Sequence, residues 1–340
     1  MKRAFLAALA ALALAASGAC SNDLPAASLI DKLRVLAVRA EPPEVAPGET
    51  TALDFLAVEP PLPHNDGGIT PSPLSAVWLA CALPSGSLTV APCGIGSGMT
   101  ASTMPPSCAD QPSAPLCLIG TDATASYTAD VNALAGGAAS AELLLTVAVA
   151  DTPDGAAACL LDIANNDGIP TSPDHCVISI KRLDISDPAQ RAIPPNANPT
   201  IAQYYATTPS GFGITLDAPG GTWQYAPGDE LAWWDIAAIR SDDASERKSD
   251  GTYEALTVSW FATAGSIDGD RSLYLPPGCN DPEKCADQVP EDGADTTWFS
   301  PTQSEAAGFV DGSGAVDFWA VIRDDRGGVG WSAGGLTLAP

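Results

Sequence analysis

From Leu33 to Arg39 apolar and basic residues alternate, and Thr51 to Glu59 carries a second run of the same period. A period of two is the spacing of strands with one face in a core and the other in water. Between these runs stand Glu41-Pro42-Pro43 and Ala46-Pro47-Gly48-Glu49. Pro47 fixes φ for the second position of a turn and Gly48 accepts positive φ at the third, so the spacing predicts a hairpin-like reversal into the next strand. Ser75 to Ala82 around Trp78, Ala141 to Asp151, and Cys176 to Ile185 read as further strands separated by Gly, Pro, Ser and Asp. No segment shows a sustained helical period with caps. Asp130 to Ala141 has room for a helical turn or two, weakened by Gly136-Gly137.

The same grammar returns later in the chain. Ala226-Pro227-Gly228-Asp229 followed by Leu231 to Ile239 echoes the earlier turn and strand at an offset of 180 residues. Leu256 to Ala262 around Trp260 corresponds to the strand around Trp78. Val316 to Ile322 corresponds to Leu143 to Val149, each leading into an Asp- and Gly-rich turn. Pro194-Pro195-Asn196-Ala197-Asn198-Pro199 lacks any apolar period and reads as a stiff linker. The expected organisation is all-β, with one antiparallel sandwich over residues 33–193, the linker over 194–199 and a second sandwich over 200–340.

Ser259-Trp260-Phe261, Thr297-Trp298-Phe299-Ser300-Pro301 and Asp317 to Asp324 with the turn at Gly327-Gly328 carry a resemblance. The second half resembles bacterial immunoglobulin-like modules of the polycystic-kidney and cadherin-like kind. The resemblance implies two immunoglobulin-like β-sandwich domains; the antibody pattern of paired cysteines on facing strands is absent, and a fold alone supplies no activity.

Charge narrows the partners. The chain of 340 residues has 15 Lys and Arg against 41 Asp and Glu, a net charge of −26. Such a surface lacks the clustered cations that nucleic acid requires and is repelled by anionic bilayers, so no nucleic-acid partner is expected. Hydrophobic residues make up 46%, enough for cores and too many for global disorder.

The first residues read as an export signal: Lys2 and Arg3, an apolar run from Ala4 to Ala16, then Ser17-Gly18-Ala19 before Cys20. The run is too short to span a bilayer, which takes about 20 apolar residues. A signal ending on Cys resembles the lipobox of bacterial lipoproteins, here with Ser17 where that family usually has Leu. The resemblance implies a signal peptide over 1–19, a lipidated Cys20 with a tether over 20–32, and, with Ser21 next, sorting to the outer membrane. Ordinary cleavage after Ala19 is the alternative. As a whole the chain resembles Gram-negative lipoproteins with tandem immunoglobulin-like domains.

Nine cysteines are an odd number for an exported chain. With Cys20 acylated, eight remain for four disulfides: Cys81, Cys93, Cys108, Cys117, Cys159, Cys176, Cys279 and Cys285. Cys279 with Cys285 is a local bridge, and Cys159 with Cys176 closes the insertion between two strands, worth about 3 kcal/mol in the chain-entropy model. The other four pair among themselves in an order that spacing leaves open. Zinc is the rival reading, disfavoured because no Cys-x2-Cys pair occurs.

Asp162, Asn165 and Asp167, in a stretch ending Asp-Gly-Ile-Pro, resemble part of a thrombospondin type 3 calcium repeat. Calcium is the one cofactor the sequence suggests, although Ile163 stands where an acidic ligand belongs. Asp242-Asp243 and Asp324-Asp325 are further oxygen clusters, and acidic turn residues that cap strands are the plainer reading. Only His64 and His175 are available as imidazole bases, and no nucleophile elbow, phosphate loop or zinc-protease helix occurs. Gly94 to Gly98 reads as a loop. Trp233 and Trp234 are adjacent, so in a strand they face opposite ways; with Trp223 they suggest an aromatic binding patch, the alternative being that one of the pair is covered by a neighbouring domain. The leading expectation is a non-enzymatic outer-membrane lipoprotein acting as a binding or spacer module for an extracellular protein or glycan. A periplasm-facing subunit of an envelope assembly and a carbohydrate-active enzyme with a carboxylate pair are the alternatives.

Overall fold

The computed structural model describes residues 27–59, 73–82, 104–152, 154–166, 170–191, 194–207, 213–216, 221–224, 233–241, 248, 250–276, 278–279, 284–285, 288, 290–301 and 315–339. These form eighteen strands and one helix, and the fold is all-β with sandwich-like layering. β1 (Arg34–Glu41), β3 (Thr50–Val58) and β6 (Ala125–Thr128) make one antiparallel sheet. β2 (Glu44–Val45), β8 (Cys176–Ser186), β7 (Ser140–Ala150), β4 (Ser75–Ala82) and β5 (Leu116–Gly120) make a second, in that order.

Alternation places Val38, Ala40 and Leu53 from the first sheet against Trp78, Leu145, Val147 and Leu183 from the second, one continuous core. Trp78 is fully buried, and its indole donates to the Asp122 carbonyl at 3.0 Å. The expected hairpin between β1 and β3 is more elaborate than a turn. The two strands do pair antiparallel, and Gly48 does take φ +84°, but the intervening β2 crosses to the other sheet and runs parallel to β8.

The carboxy-terminal strands repeat this order. β11 (Gly221–Gln224), β18 (Val329–Ala339), β17 (Ala315–Arg323), β13 (Thr257–Ala262) and β15 (Arg271–Leu273) form one sheet, in which β11 lies parallel to β18 as β2 does to β8. The facing sheet is β10 (Gly213–Thr215), β9 (Ile201–Thr207), β12 (Trp233–Arg240), β16 (Gly293–Phe299) and β14 (Ser266–Asp268). Their core gathers Tyr204, Ile236, Val258, Trp260, Trp298 and Phe318. Trp298 and Phe318 meet edge to face at 5.0 Å between centroids.

The two sheet pairs are packed face on face. Leu36, Ala37 and Val58 turn outward from β1 and β3 onto Val321 and Val329 of β17 and β18, with Phe261, Trp319 and Trp331 around them. Arg39 lies 4.3 Å over the Trp331 ring while its guanidinium holds Asp54, and Arg323 donates to the Leu36 carbonyl at 2.6 Å. Four sheets therefore stack in one series.

A helix, α1 (Gly155–Asn165), closes the far side of the series. Ala156, Cys159, Leu160, Ile163 and Ala164 line one stripe of it and bury against Val77, Leu79, Leu144 and Ala148. No helix is expected here from the sequence, and the reason is physical. Asp154 makes no side-chain cap, and the donor at Ala156 N goes instead to Ser75 Oγ at 2.8 Å, supplied by a strand 81 residues earlier. The helical turns expected near Asp130 are isolated turns, closed by Ala133 N to Asp130 O and Ala135 N to Asn132 O.

Candidate functional site

Two regions concentrate polar chemistry: the junction between the sheet pairs, and the outer face of the last sheet. At the junction Glu44 of β2, buried, accepts from the Ser186 hydroxyl, from Asn196 N at 2.8 Å, from Arg191 at 3.0 Å and from Arg326 at 3.0 Å. Arg326 also reaches Glu254 at 2.9 Å and the Pro194 carbonyl at 3.1 Å. Burial pushes the Glu44 carboxyl up, but Ser186, Asn196 N–H, Arg191 and Arg326 together outweigh it and hold it below the usual carboxylate range.

Around this centre lie less balanced charges. Burial drives Lys181 down to about 8 against the pull of Asp324 and Asp184. It drives Asp184 up to about 6, helped by Glu142 and Glu44. Asp324 is pushed up by burial too, although it accepts from Gly328 N at 2.6 Å and Arg326 N at 2.9 Å.

The segment 194–199, expected as a linker, is held to both sheet pairs. Asn198 donates to the Ala40 carbonyl and to Glu41, each at 2.7 Å, and accepts from Val329 N at 2.8 Å. It is a strap rather than a tether.

The sheet β10-β9-β12-β16-β14 has its inner face in the core, and none of the other described elements covers its outer face. Register sets three rows across that face: Gln203, Ile239 and Gly293; Tyr205, Ala237 and Asp295; Thr207, Asp235 and Thr297. Small residues at Ala237 and Gly293 leave a shallow groove of about 330 Å³ between taller neighbours. Asp235 and Asp295 are both exposed, and no Lys or Arg among the described residues lines the groove.

Of the residues singled out by sequence, the disulfides are placed most fully. Cys108 bonds Cys117, Cys159 bonds Cys176, and Cys279 bonds Cys285. Cys81 is also disulfide-bonded. Cys20 with the leader, Cys93, His64, Asp167, Gly94 to Gly98, the turn at Ala226 to Asp229 and Asp242-Asp243 lie outside the described residues. Trp233 and Trp234 open β12 opposite Phe299 and Trp298, and Trp223 lies in β11 opposite Leu338; their side chains lie outside the described set.

The calcium candidates do not converge among the described residues. The Asp162 carboxylate accepts from Thr171 N at 2.6 Å, Thr171 Oγ1 at 2.9 Å and Asn166 Nδ2 at 2.8 Å, closing the loop after α1. Asn165 is exposed beside it. Asp324 folds its own turn, and Asp325 pairs with Lys248 at 2.8 Å. No group of three His, Cys, Asp or Glu around one point occurs among the described residues.

His175 is an exposed loop residue, and its Nδ1 lies 3.0 Å from the Asp151 carboxylate. Its hydrogen bond to Asp151 raises the imidazole above its ordinary value, and Glu59 stands close enough to add to the effect. Burial pushes the Glu59 carboxyl up, with Asp151 contributing. Neither this pair nor the junction arginine carries a spacing signal in the sequence, since their partners lie 24 and 282 residues away.

Against known proteins, no family model and no curated protein matches the chain. Among solved structures it aligns with an alpha-L-rhamnosidase from Dictyoglumus thermophilum at 7% identity and a TM-score of 0.19. The alignment covers 90% of this chain and 29% of that one, so the chain spans under a third of the enzyme's length. A likeness this slight carries no argument.

Proposed function

We propose that the protein is an outer-membrane lipoprotein, acylated at Cys20, whose two immunoglobulin-like sandwiches act as a non-enzymatic binding module for an extracellular partner. The observation that carries the binding role is the outer face of β10-β9-β12-β16-β14, which no other described element covers, with its groove, at one end of a stack whose other sheets are covered on both faces. Stacked face on face, the sandwiches give little reach, which favours binding over spacing.

Tandem immunoglobulin-like domains are supported by the repeated strand order, including the short parallel strand beside β8 and again beside β18. The anchor is supported by parity. Seven described cysteines are bonded, an even total of eight is the least that satisfies them, and one of nine is left over.

Two measurements test the reading separately. Metabolic labelling with an alkynyl fatty acid should mark the wild type in the outer-membrane fraction and fail on Cys20→Ser; an unlabelled, soluble wild type overturns the anchor. A photo-crosslinking residue at Thr207, in the groove, should yield discrete adducts on intact envelopes, and one at Ala189, an exposed loop position, should not. No adducts from Thr207 overturns the binding role.

A further inference from the structure

Resting on the binding-module reading, the groove on the outer sheet face can be given a ligand chemistry. Asp235 on β12 lies opposite Thr297 of β16, and Asp295 lies opposite Ala237, so the two carboxylates are diagonal neighbours on one face. Diagonal positions of an antiparallel pair stand about 7–8 Å apart. Ala237 sits between them with no bulk to fill the gap, and Tyr205 borders Ala237 from the other side. Asp235 receives one long hydrogen bond from Thr297 at 3.4 Å, and neither carboxylate has an ion-pair partner among the described residues.

We propose that this groove docks a basic segment of a protein partner, with one Arg or Lys side chain seated over Ala237 between Asp235 and Asp295. Charge complementarity argues for that occupant. A cation over Ala237 reaches both carboxylates, and the Tyr205 ring offers it a π face. The net charge of −26 steers cations toward the face and turns away phosphorylated or acidic ligands. A neutral sugar gains nothing from that field and finds only one aromatic ring among the described residues that line the groove.

The test uses the whole mature chain and three probes of equal length by fluorescence polarisation: an Arg-containing Gly-Ser peptide, its Glu counterpart, and a neutral oligosaccharide panel. The Arg peptide should bind and the Glu peptide should not. Asp235→Asn and Asp295→Asn should each weaken the Arg peptide about three- to fivefold, the range of one exposed charge pair. Raising the salt should weaken it further. Asp187→Asn, an exposed carboxylate far from the groove in sequence, should leave binding unchanged. Both groove positions are exposed, so unchanged thermal melts show that the variants remain folded. Equal losses from Asp187→Asn and the groove variants overturn the proposal, because the peptide then reads only the overall field. Neutral-sugar binding lost in the groove variants overturns the basic ligand while leaving the binding role intact. No groove-dependent binding by any probe also overturns it, and the crosslinking from Thr207 then decides the binding role independently.

Discussion

Arg326 Nη2 lies 3.0 Å from Glu44 Oε2, an ion pair between residues 282 apart in sequence that joins the two sheet pairs. The same guanidinium reaches Glu254, whose side chain is 1% exposed, so one cation separates two buried carboxylates. Removing a single partner from such a group costs more than the group itself contributes, because like charges remain buried together. Arg326→Ala should therefore lower the free energy of unfolding by about 3 kcal/mol. Urea denaturation followed by tryptophan fluorescence measures it. The variant Arg326→Ala with Glu254→Gln should recover part of the loss, and an unchanged midpoint in the single variant would show that the pair contributes nothing.

Asp184 gives a pH dependence of opposite sign to that of Glu44. Its folded value is raised to about 6 from 3.8, so the folded protein keeps a proton that the unfolded chain releases between those values. Its contribution to stability falls as pH rises through that window and stays low above it. Glu142 and Glu44 face it as like charges, with Lys181 and Arg326 opposing them. Asp184→Asn should then stabilise the protein at pH 7 by about 2 kcal/mol, because each tenfold change in proton affinity is worth about 1.4 kcal/mol and solvent screens part of the total. The gain should shrink as pH falls from 6 toward 4. Glu44 behaves in the ordinary carboxylate sense, since its depressed value gives stability that is present above about 4.5 and lost in acid. Denaturation midpoints of both proteins at pH 4, 5.5 and 7 separate the two effects, and a gain independent of pH would count against a buried charge at Asp184.

Much of the strand order was legible because both faces of these strands write a period of two into the sequence. Val38, Ala40 and Leu53 alternate with Arg39 and Asp54, and Trp78 and Trp260 sit in corresponding strands of the two sheet pairs. The stacking of one pair on the other was not legible. Leu36, Val58, Val321 and Val329 face outward and look like ordinary strand residues until the partner sheet is known. The helix was hidden although Ala156, Cys159, Leu160, Ile163 and Ala164 repeat at helical spacing, because its cap comes from Ser75. Arg326 sits in a run that reads as an acidic turn, and nothing local marks it as the residue that bridges Glu44 and Glu254. The groove was equally hidden, since Asp235 and Asp295 are ordinary acidic residues until β12 and β16 are paired.

His175 should titrate above the usual imidazole value of 6.5, because Asp151 accepts its hydrogen bond and favours the charged form. A raised histidine value means that the pair's stabilisation is present below 6.5 and is lost as pH rises through the folded value. The chain has two histidines, so imidazole signals in a proton NMR titration are assigned with a His64→Gln variant. Asp151→Asn should bring His175 down toward 6.5. A wild-type value at or below 6.5 would contradict the contact.

Gly330 lies in β18 opposite Ile322, with Pro199 of the strap against it. A Cβ at this position would collide with the Pro199 carbonyl oxygen and stand 3.3 Å from Ile322 Cγ2. The strap cannot move aside freely, because Asn198 beside it is held by Ala40, Glu41 and Val329. Gly330→Ala should therefore destabilise by about 1–3 kcal/mol, the usual cost of overpacking. It should also open the strap to protease attack between residues 194 and 199 before the sheets unfold. Gly213→Ala is the matched control, since its added Cβ would meet neighbours only at 3.9 Å. It should stay within about 0.5 kcal/mol of the wild type. Limited proteolysis with mass mapping reads the strap and thermal melting reads the sheets. Equal behaviour of the two variants would show that the strap lies looser over β18 than the Gly330 contact requires.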